Sequence, residues 1–110
     1  MSVIKRLEER YGEKVQSEVI YNNEHARVLR FYLRAEQEVK PHKSPSSVFI
    51  TVLKGKLLFL VNDGKSEEML NVGDTVFYNP QELHGFKAIE DSIVEAVITP
   101  NPSINKLNIS

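Results

Sequence analysis

The chain has 110 residues, 41% of them hydrophobic and 26% charged, which fits one globular domain and argues against a disordered chain. Its 14 basic and 15 acidic residues leave a net charge of −1, so nucleic acid is not an expected partner. No cysteine is present, which excludes disulfides, thiolate metal sites and thiol nucleophiles; with no apolar run of spanning length, the expectation is a cytoplasmic protein with no membrane contact.

Ser2 to Arg10 reads as a short helix. Ile4, Leu7 and Tyr11 recur at helical spacing, Ser2 caps the start, and Gly12 suits the position past the end. So short a helix is marginal alone and must pack on something. Residues 1–12 therefore form an arm, 13–99 the body, and 100–110 a tail of one domain. From Val15 the period becomes two, with Val15, Ser17, Val19 and Tyr21 on one face. Asn22-Asn23 signals a turn. Arg27 to Leu33 is the next strand, and the two are expected to form a hairpin.

Ala35 to Ser47 has no sustained period and carries Pro41 and Pro45, so it reads as an edge segment or a loop over a rim. Val48 to Leu53 is apolar with little alternation, which predicts a strand buried on both faces. Gly55 breaks it and Leu57 to Val61 returns. Asn62-Asp63-Gly64-Lys65 carries an Asp-Gly pair that favours a type I′ hairpin, with Glu67 to Leu70 as the return strand. Gly73-Asp74 turns into a strand at Thr75 to Tyr78 that stops before Pro80. His84 to Ala88 and Ser92 to Ile98 are two more strands around Glu90-Asp91. Pro100 and Pro102 end the pattern, and Asn101 to Ser110 is expected to cross the surface or reach a neighbour. Many short strands with glycine turns and no crossover helix predict an all-β sandwich or barrel.

Leu70-Asn71-Val72-Gly73-Asp74-Thr75-Val76-Phe77-Tyr78-Asn79-Pro80, followed by Leu83-His84-Gly85-Phe86, resembles the second conserved motif of the cupins. In that family a Gly-Asp turn leads through a strand and a proline-containing loop to a metal-binding histidine. The interval from Gly73 to His84 is the family's, although Asn79 and Gln81 replace its usual proline and glycine. Residues 41 to 56 resemble the first cupin motif less closely. Counting back from Gly55, His42 keeps the first histidine, while Ser44 stands at the second and Val48 at the glutamate. The resemblance covers roughly Val28 to Thr99. It implies a jelly-roll barrel preceded by the short helix, with a mouth lined by the loop at His42 and the loop before His84.

The full family pattern implies three histidines and one carboxylate around Fe, Mn, Ni, Zn or Cu. Here the resemblance leaves His42 and His84 as metal candidates, an incomplete set to which Val48 gives nothing and a serine hydroxyl little. Glu36 and Glu38 are the nearby carboxylates, and both are expected to face water. The expected cofactor is accordingly none, with Mn, Fe, Ni or Zn as the alternative. His25, beside Glu24, reads as solvated. Tyr78 and Phe86 read first as core aromatics, like Tyr32, and second as walls of a ligand site. Arg30, in mid-strand, either reaches solvent or lines a polar cavity, where its fork would favour an anionic ligand. The resulting expectation is a small-molecule-binding cupin with its ligand at His84, His42, Arg30, Tyr78 and Phe86. A metal-dependent enzyme of dioxygenase or isomerase type is the alternative. Homodimerisation is expected, since cupins of this size commonly pair and unpaired sheet edges need covering.

Overall fold

Period-two alternation gives each strand one apolar face, and two sheets close those faces on one another in the computed structural model, which describes residues 2–102. The strands are β1 (Gln16–Asn22), β2 (Arg27–Leu33), β3 (Glu38–His42), β4 (Ser47–Lys54), β5 (Lys56–Val61), β6 (Ser66–Asn71), β7 (Thr75–Tyr78), β8 (His84–Ala88) and β9 (Ser92–Thr99). A five-stranded sheet runs β1-β2-β9-β4-β7, a four-stranded sheet runs β3-β8-β5-β6, and the assigned pairings are antiparallel. This is an all-β jelly roll, as the sequence predicts.

The core fills the space between the sheets. Val48, Ile50 and Val52 of β4 meet Leu57 and Phe59 of β5, with Ala88 and Ala96 admitting the larger side chains. Phe86 stacks on Phe59, with ring centroids 5.0 Å apart, and takes the edge of Phe31 across the barrel at 5.9 Å. Phe86 is therefore a core aromatic that joins the two sheets.

Three local expectations change, and one open alternative is decided. The helix expected over Ser2 to Arg10 does not form; the segment has no helical turn and crosses the outer face of the five-stranded sheet. Its backbone serves other partners: the Arg6 carbonyl accepts from Arg30 Nη1 at 3.2 Å, and the Gly12 carbonyl accepts from Gln37 Nε2 at 2.9 Å. A helix of this length has too little internal stability to compete. Within the stretch read as loop or edge, Glu38–His42 pairs with β8 and is an edge strand, with Pro41 inside a bulge. The turn at Asp63-Gly64 is a four-residue connection, because Val61 pairs with Ser66 and Asn62, Asp63 and Gly64 all take positive φ. Last, β4 is not buried on both sides, since Phe49 is 39% exposed on the outer face.

The tail expected over Asn101 to Ser110 lies mostly outside the described residues. Asn101 itself is fully buried, with its amide donating to Asn22 Oδ1 and to the Asn23 carbonyl at 2.9 Å, so it clips the end of β9 onto the β1–β2 turn.

Candidate functional site

His42 and His84 stand directly opposite one another on β3 and β8 at one end of the barrel. Their ring centroids are 4.0 Å apart, and Tyr78 on β7 lies 5.0 Å from His84. Local backbone chemistry makes the pairing possible. A Cβ on Gly85 would come within 3.0 Å of Pro41 Cα and 3.1 Å of the Val39 carbonyl, so only glycine there lets the bulged strand approach closely. That bulge, between Val39 and His42, restores His42 to the inward face opposite His84.

The loop preceding His84 is pinned from two sides. Gln81 N donates to the Ser44 carbonyl at 2.7 Å, tying together the loops that carry the two resemblance motifs. Leu83 N donates to Asp63 Oδ1 at 3.0 Å, tying the loop to the β5–β6 turn. Gln81 holds this position at φ 67°, a conformation that favours glycine and that the family's usual residue would adopt without strain. Asp63 reads from the sequence only as a turn former; its second job depends on two loops meeting, which no local signal announces.

The histidine tautomers follow from their partners. His42 Nδ1 lies 3.0 Å from the Lys40 carbonyl, and His84 Nδ1 lies 3.2 Å from the Glu82 carbonyl. A carbonyl only accepts, so each Nδ1 carries the proton and each neutral ring presents Nε2 as a lone-pair acceptor. Among the described residues no buried side-chain nitrogen lacks a partner, which places His84 Nε2 within reach of solvent although the residue is 4% exposed. Tyr78 is turned away from this chemistry. Its hydroxyl donates to the Leu60 carbonyl at 2.6 Å, and burial, reinforced by the Glu82 carboxylate, pushes its pKa far up, so it stays protonated. It offers the site an apolar ring.

Burial holds the His84 pKa below the usual histidine value. The neighbouring His42 acts in the same direction, while the Glu82 carbonyl and carboxylate oppose them. The unfolded chain therefore binds the His84 proton more readily than the folded one, and folding stability falls as pH drops below about 6.5. The melting temperature is expected to fall between pH 7 and pH 5 by more in the parent than in His84→Gln. Equal slopes in the two proteins would mean that another group carries the pH dependence.

Arg30 is not at this mouth. Its neighbour Phe31 points inward to Phe86, so Arg30 occupies the opposite face of β2. There it is 9% exposed, with Nε donating to Glu95 Oε1 at 3.0 Å. The polar-cavity alternative for Arg30 thus gives way to a covered ion pair. Tyr32 shares that outer face and donates to Glu18 Oε1 at 2.7 Å. His25 is exposed beside Glu24, as read from the sequence.

The donor set at the mouth does not fit a resident metal. Among the described residues no group of three or more His, Cys, Asp or Glu side chains comes together. Val48 is buried opposite Tyr78, and Ser44 Oγ accepts from Ser46 N at 3.1 Å. Glu36 pairs with Lys87 at 3.2 Å, and Glu38 stands opposite Lys87, so neither carboxylate joins the histidines. A groove of about 190 Å³ on the same wall is lined by Glu38, Pro41, Leu58, Leu60, Phe86 and Lys87 among others, with neither histidine in its lining.

Solved structures with the same architecture are numerous. An RmlC-like cupin from Desulfovibrio desulfuricans is 24% identical, covering 91% of this chain and 97% of its own, with a TM-score of 0.82. KdgF from a Halomonas species is 16% identical, covering 86% and 88%, with a TM-score of 0.77. The DMSP lyase DddQ from Ruegeria pomeroyi is 17% identical, covering 87% of this chain but 55% of its own, with a TM-score of 0.73. At these identities the likeness is one of fold, and this fold hosts many chemistries. No curated protein matches the chain. The family model for the cupin domain matches residues 29–100, from the second strand to the end of the last, and the chain belongs to the cupin family.

Proposed function

We propose that the barrel mouth at His42 and His84 binds a small molecule and does so without a resident metal. One observation carries this reading: two imidazoles lie 4.0 Å apart at one end of the barrel, each with Nδ1 held by a backbone carbonyl, which leaves both Nε2 atoms as acceptors. Such a pair accepts hydrogen bonds from a hydroxyl, amide or acid, while Tyr78, Val48 and Phe86 behind it supply apolar contact. The rival reading, a metal-dependent enzyme on the same histidines, needs ligands that the described residues do not bring to the site. The binding reading includes a cytoplasmic location, compatible with the cysteine-free chain, and a homodimeric state.

Native mass spectrometry of the purified protein tests the proposal. The expected result is a co-purified small molecule whose occupancy drops at least about tenfold in His84→Gln, the loss of one buried hydrogen bond with its desolvation cost. His25→Gln, on the exposed turn, should leave occupancy unchanged. A ligand held equally by all three proteins would place the binding site elsewhere.

A further inference from the structure

Phe59 and Phe86 of the four-stranded sheet pack in the core, so Leu58, Leu60, Gly85 and Lys87, which alternate with them, lie on the opposite face. The ladders extend that face sideways. Lys87 stands opposite both Glu38 and Leu58, and Leu60 stands opposite both Gly85 and Glu67. A glycine in a central strand brings no side chain to the face it occupies, and Gly85 is such a gap. It lines the groove of about 190 Å³, where Pro41, Leu58 and Leu60 supply apolar surface and Glu38 and Glu67 supply carboxylates. The volume is below the roughly 300–1,000 Å³ of sites for drug-sized ligands, so the groove suits a short molecule.

Charge selects the occupant. The cation in the lining, Lys87, is engaged by Glu36 at 3.2 Å. Among the described residues neither Glu38 nor Glu67 enters an ion pair or a side-chain hydrogen bond. These two carboxylates stand on the two edge strands of the sheet, β3 and β6, with half-buried leucines between them. Three strand spacings put their Cα atoms about 15 Å apart. A molecule with a cation at each end and hydrocarbon in the middle complements this order of groups. An anion would meet unpaired carboxylates, and a neutral apolar molecule would shield them from water without pairing them. A short linear diamine spans the middle of the distance, and the glutamate stems reach over the remainder.

We infer that this groove is a second ligand site, for a short linear diamine whose two ammonium groups pair with Glu38 and Glu67 while its methylenes lie on Leu58 and Leu60. It does not depend on the mouth, since neither histidine lines it. Ion pairs open to solvent are weak and screened by salt, so the dissociation constant is about a millimolar at low ionic strength and rises with added salt. An amide NMR titration of the parent with cadaverine, pentylamine and pentanoate tests the inference. Cadaverine is expected to shift the amides of Leu58, Leu60, Gly85 and Lys87, pentylamine to bind about fivefold more weakly, and pentanoate to leave the groove unshifted. A Glu38→Gln/Glu67→Gln variant, altered only at exposed side chains, should lose about tenfold in cadaverine affinity. Equal affinity for pentylamine and cadaverine would overturn the diamine. Shifts centred on His42 and His84, or affinity unchanged in the double variant, would overturn the site.

Discussion

Ser44→His together with Val48→Glu is expected to raise divalent-metal affinity about a thousandfold or more, by taking the mouth from two protein ligands to four. Position 48 is well placed for this, since Val48 is 3% exposed and stands opposite Tyr78, whose ring lies against His84. Position 44 follows His42 in the loop that Gln81 N holds. Both existing imidazoles already carry their proton on Nδ1 and need no tautomer change to ligate through Nε2. Without metal the same variant should be less stable than the parent by about 3 kcal/mol, because a carboxylate at a buried apolar position is either desolvated or kept protonated. Thermal melting with chelator and then with Mn, Fe, Ni or Zn reads both effects at once. A variant whose melting temperature ignores the metal would show that positions 44 and 48 do not face the histidines.

Glu95→Ala carries the second large effect, a loss of about 2 kcal/mol in folding stability measured by urea unfolding. Removing the carboxylate leaves the Arg30 guanidinium covered by sheet and N-terminal segment without its anion, and an unpaired covered charge costs more than the pair contributes. The figure is set below that for a fully buried pair because the Glu95 side chain is 29% exposed. Arg30→Met with Glu95→Leu should recover most of the loss, since apolar side chains of similar volume need no partner. If the single variant is as stable as the parent, solvent reaches Arg30 and the N-terminal segment does not cover it.

The strand plan was legible because it rests on local chemistry. Glycine turns at Gly55 and Gly73 and period-two runs such as Arg27 to Leu33 fix element type from neighbours alone. The two histidines were legible for a different reason, the resemblance to two cupin motifs: His84 by its interval from Gly73, His42 by counting back from Gly55. What stayed hidden depends on contacts distant in sequence. Nothing in Ser2 to Arg10 says that the Arg6 carbonyl will receive Arg30, and without that contact a helix is the better local solution. Nothing in Arg27 to Leu33 says that Glu95, 65 residues away, will occupy the guanidinium. The apolar run at Val48 to Leu53 misleads in the same way: a strand open on one side and a strand covered on both can be equally apolar, and Phe49 shows which one this is.

The central claim is that the mouth at His42 and His84 holds its ligand without metal. The most direct measurement is occupancy by native mass spectrometry before and after exhaustive dialysis against a chelator, with metal content determined on the same samples. The account predicts metal well below one equivalent per chain at the outset and a small molecule retained undiminished after chelation. Stoichiometric metal in the starting protein, with the ligand lost on chelation and restored by Mn, Fe, Ni or Zn, would contradict it.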